Sequence, residues 1–243
     1  GVEGVATRPK VFVTGEFLLN YHPGSNNHIE KYLENNGMEV VFPDIMNVFR
    51  KDYLRMRDEI RHFHAKYPLP QAIMVSVGNW LFGYAFAKVA AIMAKASHYR
   101  KREGLPALAG YADGIIDTTF TSGEGWMIAA EILHHAAEGV NSFVILRPFG
   151  CMPNHITGRG VVKAIKERYP NIQIVSLDFD PDTSVANIEN RLQMLIINAR
   201  EMDKKAQRSR SISESRSIAE NPSTSAAVVS KLVIQRWRPP SHS

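Results

Sequence analysis

The one cysteine of the chain, Cys151, stands in the run Arg147-Pro148-Phe149-Gly150-Cys151-Met152-Pro153-Asn154-His155. Its thiolate form would be a nucleophile or a soft metal ligand. The residues before the run, Phe143-Val144-Ile145-Leu146, are short, continuous and apolar, the pattern of a strand covered on both faces. Pro148, Gly150 and Pro153 end the strand and restrict the turn, and from about Ile156 a helical pattern sets Val161, Val162, Ile165 and Tyr169 on one side. Cys151 therefore falls just past the carboxyl end of a central strand, where open α/β sheets bind ligands, and at the amino end of a helix. A lone cysteine is equally familiar as a small buried hydrophobe. One thiol closes neither an iron–sulfur cluster nor a structural zinc site, so any metal at Cys151 needs ligands from elsewhere.

Two other loops carry polar groups at helix starts. Thr14-Gly15-Glu16 follows the apolar Val11-Phe12-Val13 and leads through Tyr21, His22, Pro23 and Gly24 to Ser25, Asn26 and Asn27, any of which can cap a helix striped by Ile29, Tyr32 and Leu33. Such a helix end can hold an anion, but the loop lacks the glycine spacing of a dinucleotide fingerprint or a P-loop. Thr121-Ser122-Gly123-Glu124-Gly125 precedes a helix striped by Trp126, Ala129, Ala130 and Leu133. Ser122 can cap it, Gly123 and Gly125 permit a close approach, and Glu124 suits its amino end. His134 and His135 are adjacent on this helix and so are expected to face different directions, as a surface pair. Asp178, Asp180 and Asp182 suggest a cation loop, yet the calcium spacing is missing and helix capping by Asp182 or Thr183 accounts for them.

These loops need a sheet behind them. Val11 to Phe42 reads as strand, helix, strand, which predicts a right-handed crossover and parallel pairing. Strands are expected near 10–14, 39–42, 142–146 and 172–177, with a further one between 71 and 77 or 105 and 117. A helical insertion occupies about 52–103, broken at Pro68-Leu69-Pro70. Within it Gln71 to Ala87 is uncharged and aromatic-rich, at the short limit for the ~20 residues of a membrane span. It is expected to be a buried helix or hairpin, or the interface with a partner chain. His98-Tyr99-Arg100-Lys101-Arg102 is a solvated helix end or a contact for the phosphates of coenzyme A.

Composition bounds the rest. With 44% hydrophobic and 22% charged residues the chain reads as soluble and globular. The net charge of +5 comes from the region from Arg200 onward, where nine of the 29 basic and four of the 24 acidic residues lie. The body is formally neutral, so charge gives no reason to expect nucleic acid. A single cysteine fits a reducing, cytoplasmic setting. The opening Gly1-Val2-Glu3-Gly4 reads as an excised start. Ser209-Arg210-Ser211-Ile212 is echoed by Ser215-Arg216-Ser217-Ile218, and residues 203–243 are expected to be a disordered, low-complexity tail. The fold expected over 9–200 is α/β: a flavodoxin-like parallel sheet with a helical insertion and a disordered C-terminal tail.

Three stretches together point to a family. VTGEFLLNYHPGSNNHIEKYLENNGMEVVFPD, GEGWMIAAEILHHAAEGV and RPFGCMPNHITGRGVVKAIKERYPNIQIVSLDFDP closely resemble the 2-hydroxyacyl-CoA dehydratase family, more narrowly the dehydratase-like portion of the large acyl-CoA dehydratase activase-related proteins. The resemblance covers roughly Pro9 to Ala199. It implies an iron–sulfur system in which an ATP-dependent activator supplies a low-potential electron to an acyl-CoA thioester, so that an unactivated hydroxyl can leave as water. It implies Cys151 as a cluster ligand, Asn154 and His155 as neighbours of cluster or substrate, Glu124 with Gly123 and Gly125 near the cysteine, and Glu16, His22 and Asn26 as lining of the cleft. The family's other ligand cysteines and an ATP-binding signature are not in this chain. The cluster would then be shared with another domain or subunit, with no membrane and no nucleic acid as partner. The alternative is a metal-free, flavodoxin-like binding or scaffold module.

Overall fold

In a computed structural model, residues 8–96 and 103–220 are described. Four parallel strands form the sheet: β1 (Lys10–Gly15), β2 (Glu39–Val41), β3 (Ser142–Pro148) and β4 (Gln173–Phe179), in the order β2-β1-β3-β4. This is the expected α/β, flavodoxin-like arrangement, and all four anticipated strands are present. The proposed fifth is not a strand: 71–77 belongs to a long helix and 105–117 to a short helix and turns. Apolar residues without period-2 alternation suit either element, and here helical length decided.

The central strands are apolar because both faces are covered. Phe12, Phe143 and Ile145 pack against Ile128, Ile132 and Leu133 of α6 (Met127–Ala137) and Ile165 of α7 (Val162–Arg168). The alternate residues Val13, Val144 and Leu146 are as fully buried. Right-handed crossovers put α2 (Ile29–Asn35) and α7 on opposite faces, since they carry the chain to opposite sides of the β1–β3 pair. The last helix, α8 (Val185–Glu220), lies beside α2, with Gln193 Nε2 donating to the Tyr32 hydroxyl at 2.8 Å.

The insertion is a helical hairpin plus a two-turn supporting helix. It comprises α3 (Ile45–Phe63), α4 (Leu69–Met93) and α5 (Leu105–Tyr111), and so begins before Asp52. Asp44 caps α3, accepting from Met46 N at 3.1 Å, and Pro70 sits in the first turn of α4 where its missing N–H costs nothing. Leu54 of α3 joins Leu105 and Leu108 of α5 and Trp126 in a second core. The anticipated burial of 71–87 does not occur, because α4 has no buried residue. The patch His98 to Arg102 lies outside the described residues.

The chain divides into two compact units, Gly1–Ile197 and Asn198–Ser243. Helix α8 continues past Ala199 to Glu220, into the stretch expected to be tail. Helix-forming Glu, Met, Lys, Ala, Gln and Arg residues dominate 200–208, Gln207 donates to Asp203 one turn back at 2.7 Å, serine takes every second place over 209–217, and proline is first met at Pro222. Residues 221–243 lie outside the described residues.

Candidate functional site

Three loops meet at the carboxyl edge of the sheet, and Glu124 joins them. Its Oε1 accepts from Phe17 N at 3.0 Å, in the loop after β1. Its Oε2 accepts from Asn154 Nδ2 at 2.7 Å, after β3. The same amide nitrogen reaches Cys151 Sγ at 3.3 Å, so a half-buried free thiol is oriented by a wholly buried asparagine. Asn154 Oδ1 is buried without a partner.

Local sequence explains the geometry. Gly150 takes φ +73°, which lets Cys151 N reach back to Pro148 O at 3.2 Å. Asn154–Arg159 then winds as a π-helical turn before α7, with Gly160 N bonded to His155 O at 3.0 Å; such wide turns recur at functional sites. In the glycine loop Gly123 and Gly125 are left-handed at φ +58° and +56°. Helix α6 starts at Met127 with no side-chain cap, so the capping expected of Ser122 is not used. The loop is held instead by Lys51 of α3, whose Nζ donates to Thr121 O at 3.2 Å and to Gly123 O. Burial pulls the Lys51 ammonium below its usual pKa, and the nearby Glu124 carboxylate opposes that shift.

His155 serves a second set of contacts. Its Nδ1 lies 2.8 Å from the guanidinium of Arg147, which can only donate, so Nδ1 accepts and Nε2 carries the ring proton of the neutral imidazole. The buried Arg147 also donates from one guanidinium nitrogen to Asp178 Oδ2 at 2.8 Å, and the same nitrogen lies 2.7 Å from Oδ1, which accepts no hydrogen bond. Arg147 and Asp178 are register partners on β3 and β4. On their far side opens a groove of about 740 Å³ lined by Arg147, Arg159, Lys163, Lys166 and Arg191, against the acids Glu167 and Asp178. Arg147 is paired with Asp178 and Lys163 with Glu167, which leaves Arg159, Lys166 and Arg191 as a net positive lining that would attract an anion.

Below the loops, Glu131 of α6 is buried and accepts from Thr14 Oγ1 at 3.1 Å, while its Oε1 has no partner. Burial pushes its carboxyl up to about 8. It faces, with Asn20, a cavity of about 10 Å³, room for one water and no ligand.

The structure thus gathers Cys151, Asn154, Glu124, Gly123 and Gly125, with His155 one contact away on Arg147. Glu16, His22 and Asn26 serve their own loop. Glu16 caps α1 (Phe17–Tyr21), accepting from Leu19 N at 2.9 Å. His22 is exposed, its Nδ1 2.9 Å from Ser25 Oγ. Asn26 is buried, donating to Leu19 O at 2.6 Å and accepting from Ile29 N at 3.3 Å. Lys51, Glu131 and the Arg147–Asp178 pair had no motif to announce them. The pair had a signal, a charge closing each of two apolar strands.

The donor set at Cys151 does not by itself hold an iron–sulfur cluster. The chain has one thiol, and among the described residues the one group of three convergent metal donors is elsewhere. That group is His134, His135 and Glu138, toward the opposite edge of the sheet, where α6 turns into β3. The two histidines were expected to diverge. They flank Glu138 instead, one and the other at the i+4 and i+3 spacings, with distances of 4.0 and 3.1 Å to its carboxylate. Rings at 4.2 Å (Phe12 to His135) and 5.0 Å (Tyr111 to His134) give both imidazoles a packing role.

No family model, curated protein or solved structure matches the chain.

Proposed function

We propose that the α/β unit is the acyl-thioester-binding, dehydratase-like component of a 2-hydroxyacyl-CoA dehydratase/activase-type iron–sulfur system, incomplete alone and working with an ATP-dependent activator or another dehydratase subunit or domain. The observation that carries this reading is the cationic groove, which adjoins the cysteine loop through the single side chain of Arg147. The nucleotide end of coenzyme A is a polyanion of the size such a groove takes, and its pantetheine arm is long enough to bring a thioester round to the loop.

In this reading the chain's residues bind and orient. Arg159, Lys163, Lys166 and Arg191 hold phosphate oxygens, and Asp178 keeps Arg147 fixed between groove and loop. Asn154 directs the Cys151 thiol, and Glu124 anchors Asn154. A bound cluster would relay the low-potential electron from the activator; Cys151 would be the one thiolate this chain offers to it, and its remaining ligands would have to come from the partner. The free thiol suits the cytoplasm.

Calorimetric titration with coenzyme A tests the groove. The wild-type protein should bind it, and the double variant Arg159→Glu, Lys166→Glu should bind at least tenfold more weakly, because two attractions become repulsions. Pantetheine, which lacks the nucleotide, should bind weakly to both. Equal affinity of the two proteins for coenzyme A would overturn the assignment. Iron and acid-labile sulfide, measured after anaerobic purification with the wild type and Cys151→Ser compared, address the thiol. Iron present only in the wild type makes Cys151 a ligand in a shared cluster. Iron in neither favours the metal-free binding module, for which the single thiol already speaks.

A further inference from the structure

Helix α4 is apolar on all sides and covered on almost none. Eleven of its large hydrophobic side chains are exposed, and no residue of the helix is buried. The side toward α3 is the half-covered one: Ala72, Val75, Asn79 and Phe86 lie there, with Arg50 Nε donating to Asn79 Oδ1 at 3.4 Å and its guanidinium 5.9 Å from the Phe86 ring. On the opposite side Met74, Val77, Leu81 and Tyr84 follow one another at the 3-4-3 spacing of a helix–helix seam, with exposures of 68, 48, 53 and 55%.

A bilayer is the first candidate to cover such a helix, since its 25 residues are long and apolar enough to cross one. The sheet forbids it. β1, which precedes α4, pairs residue for residue with β3, which follows it, from Val11↔Ser142 to Gly15↔Leu146. A single crossing would leave these strands on opposite sides of the membrane. Bringing the chain back would take a second apolar span, and neither the five residues between α3 and α4 nor the eleven between α4 and α5 are one. Lying in the membrane surface requires a polar face, which α4 lacks. A soluble, charged partner finds on α4 no charge to recognise but Lys88, which already sits over Tyr84 at 5.4 Å.

We propose that the outer face of α4 is the interface of a homodimer, in which the α4 helices of two copies pack antiparallel across a two-fold axis and the two α3–α4 hairpins form a four-helix bundle. Area supports a second copy. At on the order of 100 Å² for each half-exposed large side chain, the seam and its flanks, Ile73, Met74, Val77, Leu81, Tyr84 and Ile92, present about 600 Å² of apolar surface, most of the ~800 Å² that each partner contributes to a standard interface. An apolar face with one cation is complementary to itself, as an isologous contact demands. Lys88 sets the direction. Parallel helices would place it, at the next position of the seam, against its own copy. Antiparallel helices centred near Asn79 bring Met74 opposite Tyr84 and Val77 opposite Leu81, and move Lys88 out to the rim, opposite Pro70.

Sedimentation velocity on the full chain tests this, with Leu81→Glu as the breaking variant and Leu81→Met as the conservative one. Leu81 is half exposed, so neither change removes core packing, and far-UV circular dichroism confirms that both fold. The expected masses are twice the 27.3 kDa chain for wild type and Leu81→Met, and 27.3 kDa for Leu81→Glu at the same concentration. In a Cys151→Ser background, mixed Val77→Cys and Leu81→Cys chains should form a disulfide with each other in preference to their own kind. Monomeric wild-type protein at 100 micromolar, a dimer that survives Leu81→Glu, or flotation of wild type with anionic phospholipid vesicles that Leu81→Glu abolishes would each overturn the proposal.

Discussion

Glu131→Gln should make the folded protein more stable at pH 8 and remove most of the loss of stability that the wild type shows between pH 5 and 8. Glu131 is buried, has one donor in Thr14, and leaves Oε1 without a partner, so the charged form has little to offset its lost hydration. Burial is the main cause that lifts its pKa from 4.5 to about 8; the Thr14 hydrogen bond works the other way, and the Asp44 and Glu124 carboxylates add to the rise. Below the unfolded value both states are protonated and the group is neutral with respect to folding. As pH rises through that value the unfolded chain ionises while the folded one does not, so stability falls, and the fall is complete once pH passes the folded value. At 1.36 kcal/mol per unit the full loss is on the order of 5 kcal/mol. Glutamine accepts from Thr14 in the same place and never ionises. Urea unfolding at pH 5 and pH 8 should therefore give midpoints that separate clearly for the wild type and nearly coincide for the variant. Parallel shifts in the two proteins would show that another group governs this pH range.

Gly125→Ala should cost the α/β unit at least 3 kcal/mol, and Gly139→Ala only about 1–2 kcal/mol. Both glycines have positive φ, at +56° and +89°, so both pay conformational strain on gaining a side chain. They differ in space. A Cβ on Gly125 would stand 2.0 Å from Phe120 O, a backbone atom that cannot swing aside, whereas one on Gly139 would meet nothing within 4 Å. Relief at Gly125 means moving the loop that Lys51 clasps and that aims Glu124 at Asn154. Coenzyme A affinity and the reactivity of Cys151 toward a thiol reagent are expected to change with Gly125→Ala and to stay unchanged with Gly139→Ala. Denaturation midpoints of the two variants, measured side by side, check the energetic claim; equal losses would mean that strain alone is felt.

How much of the site could be read from the sequence depended on how local its cause was. Cys151, Gly123 and Gly125 announce themselves because strand ends, prolines and paired glycines act over a few residues. Asn26 was legible, with Ser25 and Asn27, as a candidate helix cap for the same reason; its Oδ1 does accept from Ile29 N at the start of α2, while His28 holds the cap position itself. Glu124 was placed near the cysteine, but nothing in the chain order says that a carboxylate 30 residues before Asn154 would take its amide. Arg147 illustrates the opposite limit. It ends an apolar run and looks like the first residue of a loop, yet it is wholly buried, because Asp178 of the neighbouring strand and His155 of the following turn close around it.

The fold was determined largely by pattern. Continuous apolar runs over 11–13 and 143–146 and the mostly apolar 174–177, each followed by turn residues and a striped helix, allow little besides a parallel sheet with both faces covered. Only tertiary structure decided the fate of Gln71 to Ala87. Its composition asks for burial, and burial is a property of what lies beside a helix, not of the helix. The sheet closes between β1 and β3 with the α3–α4 hairpin looped out from it, so α4 meets one neighbour and leaves its remaining circumference open. The same closure brings the loops after β1 and β3 to one edge, where Glu124, Asn154 and Cys151 become a single connected group. Periodicity reports which side of an element is apolar; pairing between distant strands sets which sides find cover and which polar groups find each other.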